Sequence, residues 1–374
     1  MVEQSSIPTG REYERVRKIP QRVASAPAVQ EREQSTDGLA RDRLEPWLAE
    51  HVAGAEPPFA YERITGGRSN LTFYVRDAVG REWVLRRPPL GHTLGSAHDM
   101  RREHTILSAL APTGMPVPTP IALCEDDSVT GALFFVMERI DGLILRDEGL
   151  VEAAFEEGDR RQIGFALADT LAELHALDPV EAGLGDLGRH DGYAERQLRR
   201  WKRQWDDSKT RDLDTMEEVH ALLSARVPPQ RETRVVHGDY RLDNVILSRE
   251  GQVAAVLDWE LCTLGDPLAD VGLLMAYWAE DRDKVVPLTR SPTLAPGFPT
   301  RAEMAERYAE RSGRDISQLD FFVALGYWKL AAILEGVFAR YSAGAYGQTT
   351  DEYRSFGKIV EQLAQAALDA ARRL

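Results

Sequence analysis

Cysteine is nearly absent from this chain. Cys124 and Cys262 are the two in 374 residues and stand far apart, which excludes a disulfide framework and a cysteine-built zinc site. A reducing compartment, the cytoplasm, is the expectation that follows. Basic excess is absent as well: 46 Lys and Arg stand against 60 Asp and Glu, for a formal charge of −14. Nucleic acid and anionic membrane reward clusters of Lys and Arg, so neither is expected as a partner. No uninterrupted apolar run reaches membrane-spanning length, and residues 1–17 lack the apolar centre of a leader, so a soluble, unprocessed chain is expected. Internal repeats are missing, as are a Walker A phosphate loop and a full Gly-x-Gly-x-x-Gly pattern.

What is present is enough apolar material for a core, 43% of residues against 28% charged, in a length that suits two packed lobes sharing a cleft. Residues 1–38 mix Ser, Pro, Gln, Glu and Arg without an apolar period and read as an arm. Leu44, Trp47, Leu48 and Val52 then suggest a helix. Tyr61–Thr65, Leu71–Arg76 and Glu82–Arg86 read as short strands, His98–Leu110 as a helix and Ala132–Met137 as an apolar strand. The expected division is an N-terminal lobe over 39–137, a hinge at 138–142 and a C-terminal lobe over 143–374. In that second lobe Ile163, Leu167, Leu171, Leu174 and Leu177 mark one helix face. More helices are expected at Tyr193–Trp205, Thr215–Arg226, Leu268–Glu280 and Phe321–Tyr341, and one beginning at the Thr300/Glu303 capping box. Val285–Pro299 reads as a surface loop able to border a substrate site.

The chemistry concentrates in His237-Gly-Asp239-Tyr-Arg241-Leu-Asp-Asn244-Val-Ile-Leu247, followed by a polar turn and Val253-Ala-Ala-Val-Leu-Asp258. Asn244 and Asp258 lie seven residues either side of Gly251, so antiparallel pairing about that glycine predicts that they meet at the open end of a hairpin. An amide oxygen and a carboxylate are hard ligands of the kind Mg²⁺ takes; a turn-flanking polar pair is the plainer alternative. Asp239, five residues before Asn244, adds a carboxylate suited to accept a proton from an attacking hydroxyl. Glu103 shares a helix face with Met100, Leu107 and Leu110, so it points into packed structure and needs a cation.

The spacing His237-x-Asp239-x-x-x-x-Asn244, with Asp258 fourteen residues on, resembles the aminoglycoside phosphotransferase family of small-molecule kinases. That resemblance implies an α+β, protein-kinase-like fold with a small β-rich N-terminal lobe and a larger, mainly helical C-terminal lobe. It implies ATP and Mg²⁺ as cofactors, Asp239 as catalytic base, and Asn244 and Asp258 as metal ligands. Arg241 stands where protein kinases carry a lysine that touches the transferred phosphate; an outward surface arginine is the alternative. Gly66, Gly67, Ser69 and Asn70 form a small-residue turn whose amides approach phosphates, unless it is an ordinary Gly-Gly hairpin. Arg86 occupies the place of the phosphate-binding lysine, with Arg87 as competitor, and pairs with Glu103 as the strand-to-helix ion pair of kinases. Glu138 and Ile140 correspond to the hinge whose backbone binds adenine. His237 is expected to brace the loop, and Asp266 and Asp270 to cap and brace their surroundings.

The resemblance covers about Thr65 to Asp270, and the segment Trp328–Tyr341 is similar to the subgroup of kinase domains fused to acyl-CoA dehydrogenases. The acceptor that follows is a small-molecule hydroxyl, on an aminoglycoside-like antibiotic or on a hydroxyacyl-CoA or hydroxy acid. A nucleotide-binding or interaction module with lapsed chemistry is the alternative, suggested by arginine at the lysine position. A protein kinase is disfavoured because Asp258-Trp259-Glu260 replaces Asp-Phe-Gly and no Ala-Pro-Glu is present.

Overall fold

The computed structural model describes residues 39–64, 70–89, 99–281, 283, 291–342 and 351–374, without the side chains of 351–354. The expected arm and three of the expected phosphate-loop residues, Gly66, Gly67 and Ser69, lie outside the described residues.

Five strands, β1 (Ala60–Arg63), β2 (Leu71–Arg76), β3 (Glu82–Arg87), β4 (Pro120–Cys124) and β5 (Phe134–Glu138), make one antiparallel sheet in the order β1-β2-β3-β5-β4. Side chains alternate across it with period two, which gives each face its own core. Phe73, Val75, Leu85, Phe134 and Val136 pack with Leu44, Leu48 and Val52 of helix α1 (Arg41–His51) on one side. Val84, Phe135 and Met137 face the other way, toward helix α2 (Met100–Leu110). Burying each of the larger side chains contributes about 1.5–3 kcal/mol relative to exposure. Asp99 caps α2, its carboxylate accepting the Arg102 N–H at 3.1 Å. β4 was not anticipated; only Cys124 of its five residues is fully buried, so it carries little apolar signal.

The second lobe contains α3 (Glu148–Ala154), α4 (Glu157–Ala176), α5 (Tyr193–Ser208), α6 (Asp214–Ala225), α7 (Leu268–Tyr277), α8 (Arg301–Ser312), α9 (Leu319–Ser342) and α10 (Asp351–Ala371). Ile163, Leu167, Leu171 and Leu174 of α4 are buried as their spacing predicts. Thr300 and Glu303 form the expected capping box of α8. α7 and α9 approach so closely at Gly272 and Gly326 that a Cβ at Gly272 would collide with the Phe322 carbonyl carbon. α9 is long and apolar enough by composition to cross a membrane, but 61% of its most apolar window is buried inside the fold. The described part of the Val285–Pro299 segment does not behave as a cleft-side loop. Ser291, Thr293 and Ala295 are buried, the Pro296 carbonyl accepts from Arg160 and the Pro299 carbonyl from the Trp278 indole, so this stretch buttresses α4 and α7.

Two short sheets carry the loops between the lobes. β6 (Arg234–Val236) pairs with β9 (Thr263–Gly265), and β7 (Val245–Leu247) with β8 (Val253–Val256). In the second sheet an irregularity at Ile246/Leu247 shifts the register, so Val245 faces Val256 and the Leu257 N–H bonds the Asn244 carbonyl. The symmetric pairing about Gly251 expected from the sequence, which opposed Asn244 to Asp258, is therefore off by one residue. A one-residue shift should turn Asp258 to the wrong face. Asp258 instead adopts the left-handed region at φ 66°, the one non-glycine residue to do so among those described, and re-aims its side chain. Aspartate tolerates that conformation better than branched residues do.

Candidate active site

The cleft between the sheet and the helical lobe spans about 1080 Å³ when the solvent at its open mouth is counted. Val84, Leu107, Met137 and Ile246 supply apolar walls, and Arg86, Glu103, Arg241, Asn244 and Asp258 also line it. Parity along β3 decides which arginine enters. Val84 and Arg86 share the cleft face, whereas Leu85 and Arg87 share the opposite one, where Arg87 is buried with its guanidinium donating to the Thr130 carbonyl at 2.9 Å. Arg87 is thereby set aside as the competing candidate.

Arg86 bridges two carboxylates. Its Nε donates to Glu103 Oε2 at 3.0 Å and its Nη2 to Asp258 Oδ1 at 2.7 Å. Burial alone would lower its affinity for a proton, but the fields of Glu103, Asp258 and Glu260 outweigh that and hold the guanidinium firmly charged. Burial pushes the Glu103 carboxyl above its usual range, against the pull of Arg86. The expected strand-to-helix pair is formed, with Asp258 as an additional partner. Asn70 is buried and its amide reaches Glu260 Oε2 at 3.3 Å, which ties the first lobe to the turn after Asp258.

The loop carrying Asp239 is held from beneath. Both oxygens of the buried Asp270 accept loop amides, from His237 at 2.6 Å and Gly238 at 2.8 Å, and Oδ2 also lies 3.3 Å from His175 Nε2. Burial would raise the Asp270 carboxyl, yet His175 and these amides prevail and hold it below its ordinary value. His237 Nε2 donates to the Leu257 carbonyl at 2.9 Å, so its Nδ1 accepts the Asp239 N–H at 3.1 Å. Both ring nitrogens are thus engaged, which matches a bracing role. Asp266, one residue before the N-cap Pro267, braces the start of α7 by accepting the Leu268 N–H at 3.0 Å.

Asn244 donates through Nδ2 to the Asp239 carbonyl and to Asp239 Oδ2, each at 2.9 Å. Arg241 Nη1 pairs with Asp243 at 2.9 Å, its Nε lies 3.4 Å from Asp239 Oδ2, and its guanidinium sits 4.9 Å above the Tyr277 ring. Arg241 is therefore an inward-facing cleft residue and not an outward surface arginine. Tyr277, which also faces Asp239, was missed in the sequence; it stands seven residues after Asp270, on the same face of α7. Glu138 donates its backbone N–H to the Thr119 carbonyl at 2.8 Å, so that amide is engaged within the sheet. Ile140 lines the cleft next to it.

The residues fit a divalent cation by their donor chemistry. With Nδ2 of Asn244 held by Asp239 and Oδ1 of Asp258 held by Arg86, Asn244 Oδ1 and Asp258 Oδ2 have no hydrogen-bond partner among the described residues, and both are hard oxygen donors.

A five-stranded sheet and a helical lobe, sharing a cleft with this loop, define a kinase-like fold. Choline kinase from Cryptosporidium parvum has it too, with a TM-score of 0.62 at 12% identity over 88% of this chain and 94% of that one. The chain belongs to the phosphotransferase enzyme family, whose model matches residues 60–322. A Ralstonia eutropha crystal structure, of a protein given the provisional name aminoglycoside phosphotransferase, superposes with a TM-score of 0.75 at 31% identity, covering 89% of this chain and 98% of that one. Acyl-CoA dehydrogenase family member 11 of Gallus gallus is 37% identical over 339 residues, 89% of this chain and 42% of the relative. Acyl-CoA dehydrogenase IBR3 of Arabidopsis thaliana, a name given there as probable, is 32% identical over 357 residues, 90% of this chain and 43% of the relative. The chain thus spans less than half the length of these curated relatives.

Proposed function

We propose that this protein is an ATP- and Mg²⁺-dependent kinase of a small-molecule alcohol, with Asp239 as base. The observation that carries the reading is that the Asp239 carboxylate contacts Asn244 and Arg241, two residues lining a cleft that the Arg86–Glu103 pair also lines. Asn244 and Asp258 would hold the metal, and Arg86 would face the nucleotide phosphates. The apolar walls suit a purine, bordered by Glu138 and Ile140. MgATP, when bound, would supply the phosphoryl group, and its metal would offset the charge on the phosphate oxygens. Asp239 takes the proton of the acceptor hydroxyl as that oxygen forms its bond to the γ-phosphorus. The bond from that phosphorus to the bridging oxygen breaks, and ADP departs with the electron pair. Arg241 neutralises charge that builds in transfer; the Asn244 hydrogen bond keeps the Asp239 carboxylate oriented for the proton, and His237 holds the Asp239 backbone N–H.

For the acceptor we propose a hydroxyacyl-CoA or hydroxy acid ahead of an aminoglycoside-like antibiotic, on the strength of relatives that carry the acyl-CoA dehydrogenase name. The test is a coupled ADP assay of the purified protein with MgATP and pools of each class, with Asp239→Asn as control. Release with one pool that disappears in the variant and on adding EDTA supports the reading. Equal release by wild type and Asp239→Asn would sink it.

A further inference from the structure

The loop that carries Asp239 is held at its backbone and, separately, at its side chains. Asp270 of α7 accepts the His237 and Gly238 amides. Lys329 of α9, its ammonium 5.3 Å from the centre of the Trp201 ring of α5, donates to the Gly238 carbonyl at 2.7 Å. These bonds fix where the chain runs and stop short of the Asp239 carboxylate and the Arg241 guanidinium, the two groups that the chemistry needs in place.

Arg241 is incompletely tied by its own ion pairs. Nη1 meets Asp243 at 2.9 Å. Nε is buried and has no aligned acceptor among the described residues, so its 3.4 Å approach to Asp239 Oδ2 is a charge contact and not a hydrogen bond. A guanidinium fixed at one edge can turn about that edge, and the long side chain gives it the freedom to do so. The second restraint is a ring. The centre of the Tyr277 ring lies 4.9 Å from the guanidinium carbon, within the range where a cation is drawn to an aromatic face. Tyr277 also faces Asp239: burial and the charges of Asp239 and Asp243 push its hydroxyl well above the ordinary range, against the pull of Arg241. A phenol kept protonated is a hydrogen-bond donor. Helix α7 therefore meets the loop twice on one face, with Asp270 at the backbone and Tyr277 at the side chains. The Nε of Arg241 is left as a buried donor without an acceptor, an arrangement that costs stability until an oxygen arrives to take it. An oxygen of a phosphoryl group in transfer is such an acceptor.

We propose that Tyr277 is a positioning residue of the transfer: its ring holds the Arg241 guanidinium with Nε uncommitted, and its hydroxyl steadies the Asp239 carboxylate. The proposal rests on the reading of Asp239 as base and of Arg241 as the group that meets the transferred phosphate. It divides the side chain into two separable parts. Phenylalanine keeps the ring and removes the hydroxyl, whereas leucine removes both and still fills apolar space. A tyrosine that only packed the end of α7 would tolerate phenylalanine without effect.

The experiment compares the full chain with Tyr277→Phe and Tyr277→Leu by two readouts. One is ADP release from MgATP, with water and with the acceptor pools supplying the hydroxyl; the other is ¹⁵N NMR of arginine Nε–H groups, the Arg241 signal being assigned by its loss in Arg241→Lys. Tyr277→Phe should lower kcat about tenfold and Tyr277→Leu about a hundredfold. KM for MgATP should stay within about twofold in both, because Arg86 and the apolar walls are untouched. The Arg241 signal should keep its ring-shifted position in Tyr277→Phe and move to that of an unstacked arginine in Tyr277→Leu. A kcat of Tyr277→Phe equal to wild type, a rise in KM that accounts for the whole loss, or an Arg241 signal that Tyr277→Leu leaves in place overturns the proposal. If circular dichroism shows that Tyr277→Leu does not fold, the turnover of Tyr277→Phe decides. Wild type that releases no ADP with water or any pool sinks the reading of Asp239 as base, a failure told apart from that of Tyr277 alone, and the Arg241 signal still decides whether the ring holds the guanidinium.

Discussion

Replacing Arg86 by methionine keeps most of the side chain's apolar stem and removes the charge that two carboxylates share. Of those two, Glu103 matters more for stability. Its side chain is 5% exposed, whereas that of Asp258 is 30% exposed and can be solvated when its partner leaves. Breaking a buried pair by removing one member typically costs about 3–5 kcal/mol. Glu103 has an escape, because burial already pushes its carboxyl upward and loss of Arg86 removes what pulls it down. In the variant it stays protonated in the folded state over a pH range where the unfolded chain has released the proton. A raised folded-state value means that stability is fully present below the unfolded value of about 4.3 and is lost as pH rises, by about 1.4 kcal/mol per pH unit, up to the folded value. Urea unfolding of wild type and Arg86→Met at pH 5, 6, 7 and 8 should therefore show a deficit near 1 kcal/mol at the acid end that grows toward about 3–4 at the alkaline end. The double variant Arg86→Met/Glu103→Gln should lose that growth and be more stable than Arg86→Met at pH 8. A deficit of the same size at pH 5 and pH 8 would refute the reasoning.

Three further outcomes are expected. Asp239→Asn should lower turnover by about 10²–10⁴-fold while MgADP affinity by calorimetry stays within about twofold, since Arg86 and the apolar walls are untouched. Asp266, buried and pushed up to about 6, contributes stability present below its unfolded value and lost as pH rises through 6. Asp266→Asn keeps an oxygen for the Leu268 N–H, so it should gain on wild type between pH 5 and 7 by up to about 3 kcal/mol in chemical denaturation. Gly272→Ala forces a methyl group against the Phe322 carbonyl, so the α7–α9 contact must open, at about 1–3 kcal/mol and a melting temperature lower by several degrees.

How much of this was legible beforehand differs from element to element. The spacing of Asp239, Asn244 and Asp258 named the loop, the helical period placed Glu103 inward, and alternation along Glu82–Arg87 contained the choice of Arg86 over Arg87, because Leu85 and Arg87 had to share a face. Short strands escaped. β6 and β9 have three residues each and pair across 26 intervening positions, and so small a segment carries no readable period. The hairpin register escaped too, since the irregularity at Ile246/Leu247 and the left-handed Asp258 together undo a symmetric count from Gly251.

Local rules acting within one element suffice for whichever faces, caps and charges that element carries, so the sequence by itself determined the two kinds of lobe, the capping box at Thr300 and the identity of the acid and amide side chains in the cleft. Lys329, Trp201 and Tyr277 were equally present in the sequence, and their stripes on α5, α7 and α9 could be counted. What no local rule supplies is which stripe meets which. That α9 delivers Lys329 to the Gly238 carbonyl follows from the close approach of α7 and α9 at Gly272 and Gly326, a contact between helices well separated along the chain. Only the packed tertiary structure sets such distances, because they depend on the summed fit of many side chains and not on the preference of any one.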